Sequence, residues 1–278
     1  MKLYTLETGL FKLDGGAMFG VVPKQLWQRT NPADENNLCS WATRLLLIED
    51  GNRLILVDTG MGDKQDESFF RHYHRHETRS LDQALAVHGF HRDEVTDVFL
   101  THLHFDHVGG AVERHGDILR PTFKNAIYWS NEQHWDWAIK PNPREKASFL
   151  TENILPIKES GQLQFIQATD GIQFSDSIKV RFVHGHTEAM MLPQINYLGQ
   201  TILYMADLLP SVGHIPLPYV MGYDIRPLDT MNERQQFWRE AVDHKYILML
   251  EHDPIHAFCT LKDTEKGIRL SETLETLS

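Results

Sequence analysis

The amino-acid sequence predicts an α/β chain in which helices pack outside two mixed β-sheets, organised as one domain over residues 1–278. Three observations carry that prediction. Short apolar runs of strand type alternate with segments of helical periodicity in both halves of the chain. At least one pair of runs has the signature of a hairpin, so the sheets are not purely parallel. No internal repeat and no Gly/Ser-rich linker interrupts the 278 residues, a length that one large core can serve.

The elements follow in chain order. TRLLLIEDGNRLILVDTG, starting at Thr43, is two strand-like runs around Asp50-Gly51-Asn52, a hairpin signal. Ser80 followed by Gln83 forms a capping box for a short helix, with Leu81, Ala84, Leu85 and His88 on one face and Gly89 to close it. TDVFLTH, from Thr96, reads as a buried strand and NAIYWS, from Asn125, as another. Residues 131–155 carry helical patterning. IKVRFVHGH and QTILYMAD are two further strands. Asp229 is placed to cap a long helix over 230–244, with Phe237, Trp238, Ala241 and Val242 facing inward. KYILMLEHD is the last strand.

Composition narrows the class of partner. Lys and Arg total 27 against 38 Asp and Glu, a net charge of −11, so the surface field repels polyanions. Nucleic acid and anionic membrane are therefore not expected as partners. Two cysteines, Cys39 and Cys259, offer no disulfide framework and read as small buried apolar residues. No signal-peptide pattern opens the chain, and no run approaches the ~20 apolar residues of a membrane helix. A cytoplasmic location is the expectation. Sixteen histidines are the unusual count, and they point to metal or proton chemistry.

Four strand-like runs each deliver a potential metal ligand to the loop that follows. VFLT leads into His102, RFVHG into His186, ILYMA into Asp207 and ILMLE into His252. Ligands gather outside strand ends because rigid strands hold those loops in register. Within THLHFDHVGG, His102 and His104 point the same way on an extended segment and can share one ion. A turn after them brings Asp106 and His107 to a second ion. Imidazole and carboxylate donors without cysteine suit a working zinc-type site rather than a structural one. Gly109 and Gly110 permit close backbone approach beyond the motif. His72, His74 and His76 also alternate, but arginines are interleaved and no apolar strand leads into them, so a loop or helix start is expected there. His256 rivals His252 as a ligand, and His252 is preferred because it ends the strand.

THLHFDH, GHT, MAD and EHD, preceded by VDTG, resemble the metallo-β-lactamase superfamily. DGGAMFGVVPKQLW, MADLLP and VMGYD further resemble the YtnP-type quorum-quenching lactonases, and the likeness runs from about residue 14 to residue 253. The resemblance implies an αββα sandwich carrying two divalent metal ions, zinc first, with manganese, iron or cobalt as alternatives. It implies that His102, His104 and His186 hold one ion, that Asp106, His107 and His252 hold the other, and that Asp207 bridges them. Asp58 of VDTG would orient a ligand by hydrogen bonding. The implied reaction is opening of a lactone, such as an N-acyl homoserine lactone, by a hydroxide shared between the ions. Asp106 would return a proton to the departing alkoxide. Met18, Phe19 and Trp27 would wall an acyl pocket, and Tyr223 or His214 would meet the lactone. A homodimer is compatible with the sequence but not indicated by any residue.

Three positions depart from the resemblance: Pro210 replaces a tyrosine found in some lactonases, GHTEAMM replaces the usual continuation after GHT, and His184 stands where proline is usual. A small ester or lactone remains the expected partner. The same nucleophile also serves a thioesterase of glyoxalase II kind, an aryl esterase or a phosphotriesterase. An iron redox protein or a non-catalytic metal binder is the remaining alternative. His104 argues against the diiron relatives, which carry a carboxylate there.

Overall fold

The structure is a computed structural model that describes residues 1–277. The strands in chain order are β1 (Lys2–Asp14), β2 (Leu38–Asp50), β3 (Arg53–Val57), β4 (Asp97–Phe99), β5 (Val112–His115), β6 (Ile118–Pro121), β7 (Ile127–Ser130) and β8 (Leu163–Phe165). They continue with β9 (Ile172–Ser175), β10 (Ile178–Val183), β11 (Met190–Tyr197), β12 (Gln200–Tyr204), β13 (Ile247–Met249), β14 (Phe258–Lys262) and β15 (Arg269–Leu274). The helices are α1 (Gly15–Phe19), α2 (Lys24–Trp27), α3 (Glu67–His72), α4 (Leu81–Val87), α5 (Phe105–Val108), α6 (Glu132–Ile139), α7 (Thr151–Glu159) and α8 (Pro227–Asp243). One sheet has the order β1-β2-β3-β4-β7-β8, a second has β15-β14-β13-β12-β11-β10-β9, and β5-β6 form a separate hairpin. Both large sheets are mixed, as the sequence predicts.

The chain divides into two compact units, Met1–Leu10 with Thr43–Ala168, and Phe11–Ala42 with the segment from Thr169 onward. In the first unit, β2 and β3 pair antiparallel from Leu46↔Val57 to Asp50↔Arg53, so Gly51 and Asn52 form a two-residue turn with Gly51 at φ 64°. β3, β4, β7 and β8 are then parallel, with Val57 opposite Phe99. Leu45, Leu47, Leu54, Leu56, Val98 and Leu100 bury a continuous apolar face. α4 carries the predicted capping box: Ser80 accepts from Gln83 N, and the Gln83 side chain accepts from Ser80 N. Residues 131–155 are two helices rather than one, because Pro141 and Pro143 fall between α6 and α7 and deny the chain its amide donors there.

In the second unit β12 and β13 run parallel, with Ile202 opposite Ile247 and Tyr204 opposite Met249. β11 lies between β10 and β12 and pairs antiparallel with both. Pro193 hides this strand from a propensity reading, yet it sits opposite Val180. α8 begins earlier than expected. Pro227 supplies the first turn and Arg226 is the N-cap residue, so Asp229 lies inside the first turn instead of capping it. Its buried face includes the expected Phe237, Trp238 and Ala241 together with Thr230 and Arg234. Val242 is half-buried. Cys39 and Cys259 are buried and unbridged. Among the described residues, no helix is long and apolar enough to cross a membrane.

Candidate metal centre

In the first unit the parallel pairing of β3 and β4 sets Asp58 beside Thr101 just past the strand ends. Thr101 N donates to Asp58 Oδ1 at 2.8 Å and Thr101 Oγ1 donates to Asp58 Oδ2 at 2.6 Å. Asp58 holds a left-handed backbone, φ 58°, a strained state for a residue with a Cβ. The same Oδ2 lies 3.1 Å from His107 Nδ1, so the ring donates Nδ1–H to it and turns Nε2 outward. Asp58 thereby fixes the orientation of the His107 ring.

The same accounting fixes His102. The Thr101 hydroxyl spends its hydrogen on Asp58, so its oxygen accepts from His102 Nδ1–H at 3.1 Å. His102 Nε2 then carries a lone pair, and it lies 3.0 Å from His104 Nδ1. His104 Nε2 is 3.4 Å from Glu145 Oε1. Leu103 N, between the two histidines, donates to His134 Nε2 at 2.9 Å. α5 carries Asp106 and His107, with His107 Nε2 at 4.0 Å from Asp106 Oδ2. Thr59 N and Thr59 Oγ1 both donate to the His107 carbonyl, at 2.7 and 2.9 Å. A Cβ on Gly109 would lie 2.1 Å from Met61 O, so the backbones meet at a distance only glycine allows.

In the second unit Asp207 and His252 each fall five residues beyond the Ile202–Ile247 pair, so the ladder delivers them side by side. His252 Nε2 is 3.0 Å from Asp207 Oδ1, and His186 Nε2 is 3.0 Å from Asp207 Oδ2. The far nitrogens are also engaged. His186 Nδ1 meets Asp224 Oδ1 at 2.8 Å, and His252 Nδ1 meets the Ala42 carbonyl at 2.7 Å. Both rings thus give Nδ1–H away and aim an Nε2 lone pair at a carboxylate oxygen, an arrangement that calls for a cation or a proton against both. Burial opposes charge on His186, but Asp207 and Asp224 on either side outweigh it and push its pKa up to about 10. His186, Asp207 and His252 are buried, as are His102, His104, Asp106 and His107. In each unit these are imidazole and carboxylate donors, the kind that suits divalent metal ions.

The substrate candidates all belong to the second unit. His214 is fully buried, with Nε2 at 2.9 Å from the Met18 carbonyl and Nδ1 at 2.9 Å from Ser211 Oγ. Its ring stacks on Phe19 at 4.3 Å, and Phe19 stacks on Trp27 at 5.2 Å. Burial, with Arg234 adding to it, pushes the His214 pKa down to about 3. Met18 and Phe19 are buried, whereas Tyr223 is 39% exposed. Gly222 N donates to the Ala17 carbonyl at 2.7 Å. Of the segments quoted above as lactonase-like, DGGAMFG and VMGYD are therefore packed on one another. A Cβ on Gly15 would strike the Trp27 ring at 2.2 Å, which accounts for a glycine in DGGAMF.

His72 and His74 are exposed, and His72 ends α3 rather than lying on a strand. His256 follows a turn closed by Asp253, whose Oδ1 accepts from Ile255 N and His256 N. Asp224, Glu145, His134 and the Ala42 carbonyl went unseen in the sequence. The acids lie in loops without periodicity, and a backbone carbonyl has no residue signature. A cavity of about 320 Å³ in the first unit, walled by Thr43, Thr59, Arg79 and Glu113 among others, contains none of the ligand candidates.

The structure is a mixed α/β fold with buried histidine and carboxylate groups just beyond its strand ends. The chain belongs to the metallo-beta-lactamase superfamily, whose family model matches residues 43–244. Probable metallo-hydrolases of Mycobacterium bovis and Mycobacterium tuberculosis are each 29% identical over 117 residues, 35% of this chain and 37% of each relative. The match thus spans little more than a third of the length of those curated relatives. A probable metal-dependent hydrolase from Staphylococcus aureus is similar over 100% of this chain and 98% of its own, at TM-score 0.89 and 27% identity. AidC, a dizinc quorum-quenching lactonase solved with a product, shares the fold at TM-score 0.79 and 22% identity, over 97% of this chain and 93% of that one. An N-acyl homoserine lactone hydrolase with N-hexanoyl-L-homoserine at its catalytic metal centre shares it at TM-score 0.69 and 18% identity, covering 91% and 93%.

Proposed function

We propose that the chain hydrolyses a lactone, an N-acyl homoserine lactone or a close analogue, in the cytoplasm. We assign His102, His104, Asp106, His107, His186, Asp207 and His252 to two divalent ions, zinc first. The observation that carries the metal reading is Asp207, which offers separate oxygens to two histidines whose other nitrogens are already committed. When bound, such ions bring the pKa of water to about 7 and polarise an ester carbonyl. The residues do the rest. Asp58, Asp224 and the Ala42 carbonyl hold the ligand rings in one tautomer. The Asp106 carboxylate would take up the proton given up by the attacking water and return it to the alkoxide as the ring opens. The narrower lactone reading draws on the packed segment around Met18, Phe19, Trp27 and His214, and on the product bound to the two lactonases. Tyr223, the exposed member of that region, is assigned to the substrate carbonyl.

The test is ring opening measured on a panel of acyl homoserine lactones. Paired thioester, aryl ester and phosphotriester substrates run alongside. Activity on lactones that disappears with chelator and returns with zinc, manganese or cobalt is the expected result. Metal-loaded protein that leaves every lactone intact while cleaving thioesters or phosphotriesters would replace the lactone with that bond.

A further inference from the structure

Glu145 is buried, its side chain 3% exposed, in a loop between α6 and α7 that the mechanism above does not use. A buried carboxylate is costly unless its oxygens are met by donors. One oxygen is amply met: Oε2 accepts from Trp137 Nε1 at 2.7 Å and from Asn142 Nδ2 at 2.5 Å. The other, Oε1, faces His104 Nε2 at 3.4 Å. The loop is built to hold that aim. Arg144 N and Glu145 N both donate to Asn142 Oδ1, Ser148 N donates to the Glu145 carbonyl, and Phe105 N donates to the Ser148 carbonyl. That last bond ties the loop to the residue following His104. The Phe149 ring lies 4.7 Å from the His104 ring and closes the imidazole in from another side.

We infer that Glu145 is a positioning residue for His104: it keeps the proton on Nε2 and so presents the Nδ1 lone pair toward His102 Nε2. The inference rests on the assignment of His104 as a metal ligand. It extends to His104 the device found at His107 and His186, where Asp58 and Asp224 hold the nitrogen opposite the one turned outward. A carboxylate on the far nitrogen makes an imidazole a stronger donor and fixes its ring plane, and its loss typically costs 10–100-fold in metal affinity.

The test is a Co(II) titration of the full-length protein, read from visible d–d absorption, for wild type, Glu145→Gln and Glu145→Ala. Metal-free melting temperatures are recorded in parallel. Wild type is expected to bind two ions. Glu145→Ala should lose about 10–100-fold in affinity for one of them, with a shifted d–d band, and Glu145→Gln, a neutral acceptor, should lose less. If both variants bind both ions with wild-type affinity and spectrum, the inference is overturned. A lower metal-free melting temperature without any change in Co(II) affinity overturns it too, because Glu145 then only braces its loop. Should Glu145→Ala fail to fold, Glu145→Gln decides by the same criteria. A wild-type chain that binds no Co(II) instead removes the metal assignment on which the inference stands.

Discussion

Arg234 offers a prediction whose size follows from its surroundings. It projects from α8 and is fully buried. Its Nε donates to the Leu208 carbonyl at 2.8 Å, and its Nη1 donates to the His214 and Tyr219 carbonyls at 3.2 and 2.7 Å. One guanidinium thus gathers the loop that begins directly after Asp207. Arg234→Met keeps the length of the side chain and removes every donor. Two of these carbonyls are buried and the third is partly buried; losing their donor costs about 1–3 kcal/mol each, or about 3–9 kcal/mol together. Against that stands relief from burying a cation. Burial pushes the Arg234 pKa down to about 10 from its ordinary value, a penalty of about 3 kcal/mol. The net destabilisation is about 3 kcal/mol, within a range of about 0–6. A chain of 278 residues unfolds with an entropy of roughly 0.6 kcal/mol/K, so the melting temperature should fall by about 5 °C. Calorimetry at one fixed zinc concentration for both proteins is the assay, because ligand binding itself moves the transition. Arg234→Lys should fall between the two, since an ammonium cannot reach three separated carbonyls. A methionine variant that melts above the wild-type temperature would refute the reasoning.

Asp207→Ala should lose bound metal and hydrolysis together, measured by elemental analysis and turnover; full activity would remove the bridging assignment. Asp224→Asn should weaken metal binding by about 10–100-fold while leaving the fold intact, since it keeps the shape and loses the charge that orients His186. His214 predicts a pH effect. Its folded pKa of about 3 lies below the unfolded 6.5, so its contribution to stability is fully present above pH 6.5 and is lost as pH falls toward 3. His214→Phe should therefore show a denaturation free energy that declines less steeply between pH 6 and pH 4, by up to about 1.4 kcal/mol per pH unit. Equal slopes for the two proteins would show that burial does not hold His214 neutral.

The strands that carry the candidate ligands were legible because each is an apolar run ending in a histidine or aspartate. VFLT, ILYMA and ILMLE became β4, β12 and β13 with the ligand a few residues beyond. The hairpin at Gly51 and the capping box at Ser80 were legible because both depend on local chemistry alone. What escaped depends on tertiary context. β11 contains a proline, and only its two neighbours stabilise it as a strand. The long β1 mixes charged and apolar residues without a clean alternation, which leaves no period to read. Asp224 and Glu145 lie far in sequence from the histidines they face, and no spacing rule links them. Arg234 had no signal in the sequence, because its guanidinium is spent on backbone carbonyls that no side-chain pattern announces.

The ladder that pairs Ile202 with Ile247 has one further consequence. Asp207 and His252 are reached by tethers of equal length from the same rung, so their mutual placement is a matter of counting residues. Replacing a side chain within 205–206 or 250–251 alters packing and leaves that count untouched. Inserting or deleting a single residue in one tether would slide its end by about 2–3.3 Å, comparable with the 3.0 Å now separating His252 Nε2 from Asp207 Oδ1. Diversification of this chain should therefore reject changes in the length of these two stretches.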